Sequence, residues 1–322
     1  MGKAKWVEVD SAQEPIEAVA RRTLQARLEL VWKRLESAIG PPHKVVEDVH
    51  QLRVAVRRAV AAMDIFEPLL PGGRAKWVNK RLRRVRRAAG DARDLDVFGE
   101  RLLKLASSKP HAEYGLLMCQ VDQKRIAAQR PIEKYYKRLK KKFSDRVHEL
   151  VERVRLRCQM DQLSKPTFAE AARSALRPVV AELFARADAD LHDYAALHAL
   201  RIEAKRLRYV MEIFAAAFDE SFRGDLYSQI ECMQEKLGEI NDHRAAGDHL
   251  REWFHADKDK DSHVREVIAD IMAEEQQAMQ RSRERFLEWW TPERRTELER
   301  SFAERLNSSS HYRVSESQPS SA

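Results

Sequence analysis

The segment His50-Gln51-Leu52-Arg53-Val54-Ala55-Val56-Arg57-Arg58 returns 148 positions later as His198-Ala199-Leu200-Arg201-Ile202-Glu203-Ala204-Lys205-Arg206. On an α-helix each residue advances about 100°, so His50, Arg53 and Arg57 lie within roughly 60° of one another. His198, Arg201 and Lys205 repeat the row, and Arg208 carries it one turn further. Beside each row runs an apolar one: Val49, Leu52, Val56 and Met63 in the first copy, Leu197, Leu200, Ala204 and Met211 in the second. Each helix therefore offers a stripe to a core and, next to it, a line of cations headed by histidine. A solvated helix face usually mixes both signs; these rows contain no acid.

Working outward, the same offset relates Leu28, Val31 and Leu35 to Leu176, Val179 and Leu183, Gly90 to Gly238, Asp94 to Asp242 and Leu102 to Leu250. A register kept without a gap from about 28 to 250 is an internal duplication. Apolar periodicity and breakers predict helices over about Pro15–Ile39, Val45–Leu69 and Arg74–Leu105, the last loosening around Gly90–Asp94. After a break at Ser107–Pro110, a long helix over 111–160 is expected, with Pro131 as its one candidate interruption. The second half predicts Phe168–Ala187, a His198 helix ending near Phe218, Phe222–Phe254, a charged linker Asp257–Asp261, Ser262–Trp290 and Pro292–Leu306. No segment has the period of a strand. The expected organisation is an irregular N-terminus over 1–14, one all-α domain over 15–306 and a disordered tail over 307–322. Within the domain, repeat 1 covers about 15–160 and repeat 2 about 165–306.

Composition agrees: of 322 residues, 34% are charged, 7% are aromatic and only ten are glycine, which suits amphipathic helices. Residues 1–160 hold 36 Lys and Arg against 20 Asp and Glu, whereas 161–322 hold 23 against 31. A basic half argues for a polyanionic partner. Cys119, Cys158 and Cys232 have no CxxC spacing and read as reduced core thiols of an intracellular protein. No apolar run approaches the ~20 residues that span a bilayer, and the first residues lack the apolar centre of a secretory signal.

His50-x-x-Arg53-x-x-x-Arg57-Arg58 with Arg93-Asp94-Leu95-Asp96 downstream closely resembles the CHAD family of histidine-bearing α-helical domains. So does His198-x-x-Arg201-x-x-x-Lys205-Arg206-Leu207-Arg208-Tyr209 with Leu237-Gly238-Glu239-Ile240-Asn241-Asp242, and together the motifs extend the resemblance over roughly 15–290. It implies an all-α fold of two duplicated four-helix bundles facing each other across a basic groove. It also implies a non-catalytic module that binds inorganic polyphosphate, cytoplasmic and directed to polyphosphate granules. The binding residues expected from these rows together with the basic run over 74–87 are His50, Arg53, Arg57, Arg58, Lys80, Arg81, Arg84, Arg87, His198, Arg201, Lys205, Arg206 and Arg208.

The residues themselves point to the same ligand chemistry. Arg74, Lys76, Lys80, Arg81, Arg83, Arg84, Arg86 and Arg87 succeed one another without an acid. Like charges one turn apart destabilise a helix, and a bound polyanion relieves that repulsion. Arginine forks match phosphate oxygens bidentately and lysine supplies point charge. A plainly solvated basic face is the alternative, for this run and for Lys134, Lys137, Arg138, Lys140, Lys141 and Lys142. His50 and His198 can serve as phosphate donors or as structural groups; cations rather than further metal donors surround them, so no metal is expected. Arg93, Asp94 and Asp96 fit a helix break or ion pairs better than a Mg²⁺ site, and Gly90 and Gly238 fit close helix packing. No catalytic constellation and no cofactor motif stands out. Glu8-Val9-Asp10 is only a fragment of the strand signature of the triphosphate-tunnel domains that often accompany this family. The competing readings are an RNA- or DNA-binding protein, which exposed aromatics among the arginines would favour, and a helical adaptor.

Overall fold

The computed structural model describes residues 5–108, 113–160, 166–256 and 262–307. Among them stand ten α-helices and no strand: α1 (Ile16–Ser37), α2 (Val46–Ile65), α3 (Gly72–Ser108), α4 (Glu113–Leu139), α5 (Phe143–Met160), α6 (Phe168–Ala187), α7 (Tyr194–Phe214), α8 (Tyr227–Ala256), α9 (Ser262–Trp289) and α10 (Pro292–Asn307). No helix among the described residues is long and apolar enough to cross a membrane. The predicted apolar faces are the buried ones. Val19, Leu24, Leu28, Val31 and Leu35 of α1 are at most 1% exposed, and Val49, Leu52, Val56 and Met63 of α2 are fully buried.

Several local expectations change. α3 does not loosen at Gly90 but runs unbroken, since its buried residues Val78, Leu82, Val85, Ala89 and Ala92 continue through that point. A Cβ at Gly90 would lie 3.9 Å from Arg53 Nη1, an ordinary contact, and at Gly238 it would meet nothing within 4 Å, so neither glycine is needed for packing. The 111–160 stretch is two helices, and Pro131 lies inside the first of them. The break falls instead at the exposed Lys140–Lys142, between the buried Leu139 and Phe143. Trp32 fixes that corner by stacking on Tyr136 and Phe143. Gly40, at φ +153°, makes the turn after α1. Cys119 is exposed and Cys232 half-buried rather than core thiols. The side chain of Cys158, the 257–261 linker, part of the 107–110 break and the expected tail lie outside the described residues.

The chain forms two compact units that do not coincide with the two repeats. One comprises residues 1–16, 164–238 and 283–322; the other comprises 17–163 and 239–282. In the latter, Phe98 and Leu102 of α3, Tyr114, Leu117 and Val121 of α4, Ala246 and Leu250 of α8 and Val264, Ile268 and Ile271 of α9 share one apolar core. Phe98 and Ala246, like Leu102 and Leu250, stand 148 apart. Truncating a fully buried leucine such as Leu102 to alanine costs about 2–5 kcal/mol.

In the former unit, Thr167 caps α6 through a reciprocal pair with Glu170, and Asp193 caps α7. The segment before α1 is irregular but docked. Lys5 Nζ sits 3.0 Å from Glu231 and Trp6 packs edge-on against Tyr227.

Candidate anion-binding site

Lys76, Lys80, Arg83, Arg84 and Arg87 recur at helical spacing along the N-terminal half of α3 and span roughly 100° of its circumference. Their opposite face carries the buried Val78, Leu82 and Val85, so the cations are directed outward by the core. Pro131, Tyr135 and Arg138 of α4 form the other wall of an open pocket of about 940 Å³. Six cations line it, and Asp91 is its one acid. The Asp91 carboxyl is raised by burial first and by neighbouring Asp94 next, against the pull of Arg87, Arg53 and His249.

The α2 row borders this face. Arg53 Nη1 donates to the Gly90 carbonyl at 3.2 Å and is ion-paired with Asp94. Asp94 shares the angular sector of Arg83 and Arg87 on α3. Arg57 and Arg58 lie half-buried along the same helix, and the Arg58 carbonyl accepts from Arg27 Nη1 at 2.9 Å. His50 is held below its ordinary value of 6.5 by burial first and by Arg93 next, with Arg53 and Arg57 adding to the effect and Glu47 opposing it. Burial is thus the largest single cause, ahead of each neighbouring cation.

The α7 row is more constrained. His198 is exposed, with its ring 6.1 Å from that of Tyr194, and Arg201 and Lys205 are half-buried. Arg206 lies 3.5 Å from Glu203. Arg208 is engaged by acids of its own unit. Its guanidinium is 4.0 Å from Glu212 and 3.7 Å from Glu231. The fully buried Glu212 also accepts from the Tyr227 hydroxyl at 3.0 Å. Burial works against the charge of Arg208, but Tyr209, Glu212 and Tyr227 together hold its pKa above the ordinary value. A buried carboxylate needs a counter-charge, and Arg208 supplies it. Burial and Glu212 push the Tyr227 phenol far up, which keeps it a donor.

Of the predicted residues, Lys80, Arg84 and Arg87 come together in the α3–α4 pocket, while Arg81 turns its guanidinium over Trp77 at 5.1 Å. Lys76, Arg83 and Arg138 line the pocket without belonging to the predicted set. The helical spacing 76, 80, 83, 87 selects Lys76 and Arg83 over Arg81 and would have served as the signal for those two. The charged residues of this motif are ion-paired: Arg93 lies 3.6 Å from Glu100, and Asp96, its side chain buried, accepts from Arg125 Nε at 2.6 Å. Among the described residues no cluster of three or more His, Cys, Asp or Glu side chains is placed to hold a metal.

The fold is similar to two solved structures. One, the CHAD domain from the plant Ricinus communis, is 24% identical with a TM-score of 0.66, covering 85% of this chain and 91% of that one. The other, PptA from Streptomyces chartreusis, is 15% identical with a TM-score of 0.61, covering 86% and 99%. A search of curated proteins found no match. The CHAD domain itself matches residues 22–251, most of the chain, with the motifs of α2 and α3 and their counterparts on α7 and α8. With both histidine rows inside that span, the chain belongs to the CHAD domain family.

Proposed function

We propose that this protein is a non-catalytic binding module for inorganic polyphosphate, seated on the α3–α4 pocket and reaching along α3 to the α2 row. The observation that carries the reading is the lining of that pocket: six cations, five from α3 and one from α4, one acid, and an open volume of about 940 Å³. A linear chain of phosphates places a charge at every repeat and can satisfy such a row along its length. Arginine forks then bind oxygens pairwise, and the repulsion among the cations is relieved.

The lining contains no histidine, serine or cysteine to act as base or nucleophile. That composition favours holding a polyanion over cleaving it. Tyr135 is the single aromatic of the pocket. Single-stranded nucleic acid is usually held on several stacking platforms, so the site favours phosphate chain over bases. A cytoplasmic module of this kind would gather on polyphosphate granules. The test is titration calorimetry with long-chain polyphosphate, in competition with single-stranded RNA at matched ionic strength. Saturable binding that RNA displaces only weakly supports the proposal; displacement by RNA at lower concentration than by polyphosphate overturns it.

A further inference from the structure

A second pocket lies between α8 and α9 in the unit that contains α3 and α4, and its origin is visible in the repeat. Arg244 stands 148 after Asp96. Along α9 the buried positions follow those of α4 by 150: Val264 after Tyr114, Ile271 after Val121, Glu275 after Arg125 and Ser282 after Ile132. The pair that joins α3 to α4, Asp96 with Arg125, thus reappears between α8 and α9 with its signs exchanged. In the first copy the partners meet at 2.6 Å with side chains at most 6% exposed. In the second they do not meet. Glu275 instead accepts from Arg101 Nη1 at 2.8 Å and sits 2.7 Å from His243 Nδ1, while Arg244 turns outward to Asp248 at 3.2 Å.

What that pair fills in one copy is therefore open in the other. Small residues widen the gap: a Cβ on Gly247 would meet nothing within 4 Å, whereas on its counterpart Gly99 it would meet Val121 Cγ1 at 3.5 Å. Ala269 and Ala273 face the same space, and the result is a pocket of about 490 Å³. Small-molecule sites run from roughly 300 to 1,000 Å³ and combine apolar walls with a few convergent polar groups. Met272 and Met279 supply adaptable apolar wall, and Arg244, Arg251 and His243 supply the polar end. Arg244 and Arg251 share one carboxylate, Asp248, at 3.2 and 2.5 Å. Arg101 and His243 share another, Glu275, which leaves His243 Nε2 uncommitted to it. Around the pocket, cationic groups outnumber carboxylates.

We infer that the α8–α9 pocket binds a small amphipathic anion, its apolar body between Met272 and Met279 and its carboxylate or phosphate head at Arg244 and Arg251. This site is separate from the α3–α4 face and independent of what that face binds. The intact chain is titrated calorimetrically with octanoate, octyl phosphate, octylammonium and octanol. Saturable 1:1 binding of octanoate or octyl phosphate is expected, the tighter of the two identifying the head group, with octylammonium at least tenfold weaker. Gly247→Leu fills the pocket with a better helix former than glycine, so the helix is retained while anion binding falls at least tenfold. Arg244→Gln with Arg251→Gln removes the preference for the anions over octanol. Neither set of changes alters polyphosphate binding, and charge reversal on α3 does not alter octanoate binding. The inference is overturned by equal binding of octylammonium, by anion affinity that Gly247→Leu leaves unchanged, or by the lack of saturable binding of both anions.

Discussion

α3 and α8 hold the same place in the two repeats, yet they carry opposite surfaces. Their cores correspond position by position: Val78, Leu82, Val85, Ala89 and Ala92 are matched 148 residues on by Leu226, immediately before α8, and by Ile230, Met233, Leu237 and Ile240 within it, all buried. Their outward faces do not correspond. Lys76 is answered by Gly224, ahead of α8, and Lys80, Arg83, Arg84 and Arg87 by Ser228, Glu231, Cys232 and Glu235 on it. Glu231 even takes Lys5 and Arg208 as internal partners. Packing needs hold the core positions to apolar side chains, because an unsuitable residue there costs several kcal/mol. A solvated face bears no such demand and is free to follow ligand chemistry. The apolar positions are thus kept at the 148-residue offset, and the dense basic surface belongs to α3.

The largest effect is expected where that asymmetry is erased. Arg83→Glu, Arg84→Glu and Arg87→Glu together make α3 resemble α8 and should weaken polyphosphate binding by roughly a hundredfold or more at about 0.1 M salt, with helicity by circular dichroism unchanged. Affinity within a few-fold of wild type would place the site elsewhere. A smaller loss, roughly tenfold or less, is expected for Arg201→Ala with Lys205→Ala, since neutralising two half-buried cations removes fewer phosphate contacts. Equal losses from the two sets would make the helices equivalent and contradict the comparison.

Next in size is a gain. Asp94 holds Arg53 at the edge of the pocket, so Asp94→Asn should release that guanidinium and tighten polyphosphate binding by roughly threefold, measured by the same titration. Weaker binding would mean that Asp94 positions Arg53 for the ligand. The smallest effect concerns pH. His50 is held below 6.5, chiefly by burial and then by Arg93, so its imidazole is neutral at pH 7. A bound polyanion favours the protonated ring; the complex then takes up protons, and affinity rises as pH falls below 6.5. The gain should be roughly two- to threefold, and His50→Gln should flatten it. A wild-type affinity constant through that range would make His50 a packing residue.

Much of the scaffold was legible from spacing. Periodic apolar residues located the helices because burial enforces the period, and the 148-residue register exposed the repeat. The break at Lys140–Lys142 was not legible, because Pro131 is the stronger local signal and tertiary anchoring by Leu139 and Phe143 overrode it. Ligand residues were legible only as a set. A run such as Arg81-Leu82-Arg83-Arg84 reads as one basic patch, yet Arg81 lies outside the roughly 100° sector of Lys76, Lys80, Arg83, Arg84 and Arg87 and turns over Trp77 instead. The pairing of Arg208 was not legible, because its row is visible in sequence while its partner Glu212 is a buried acid whose need for a cation shows only in three dimensions. The division into units was hidden for the same kind of reason: α8 and α9 each contain a unit boundary.

Lysine footprinting tests the central claim most directly. The protein is acetylated at lysine with and without long-chain polyphosphate, and each site is quantified by mass spectrometry. Lys76 and Lys80 on α3 are exposed and line the pocket, and Lys205 on α7 is half-buried. Strong protection of Lys76 and Lys80, with Lys205 protected less, is the predicted result. Lys76 and Lys80 labelled as in the free protein, with Lys205 protected, would contradict it.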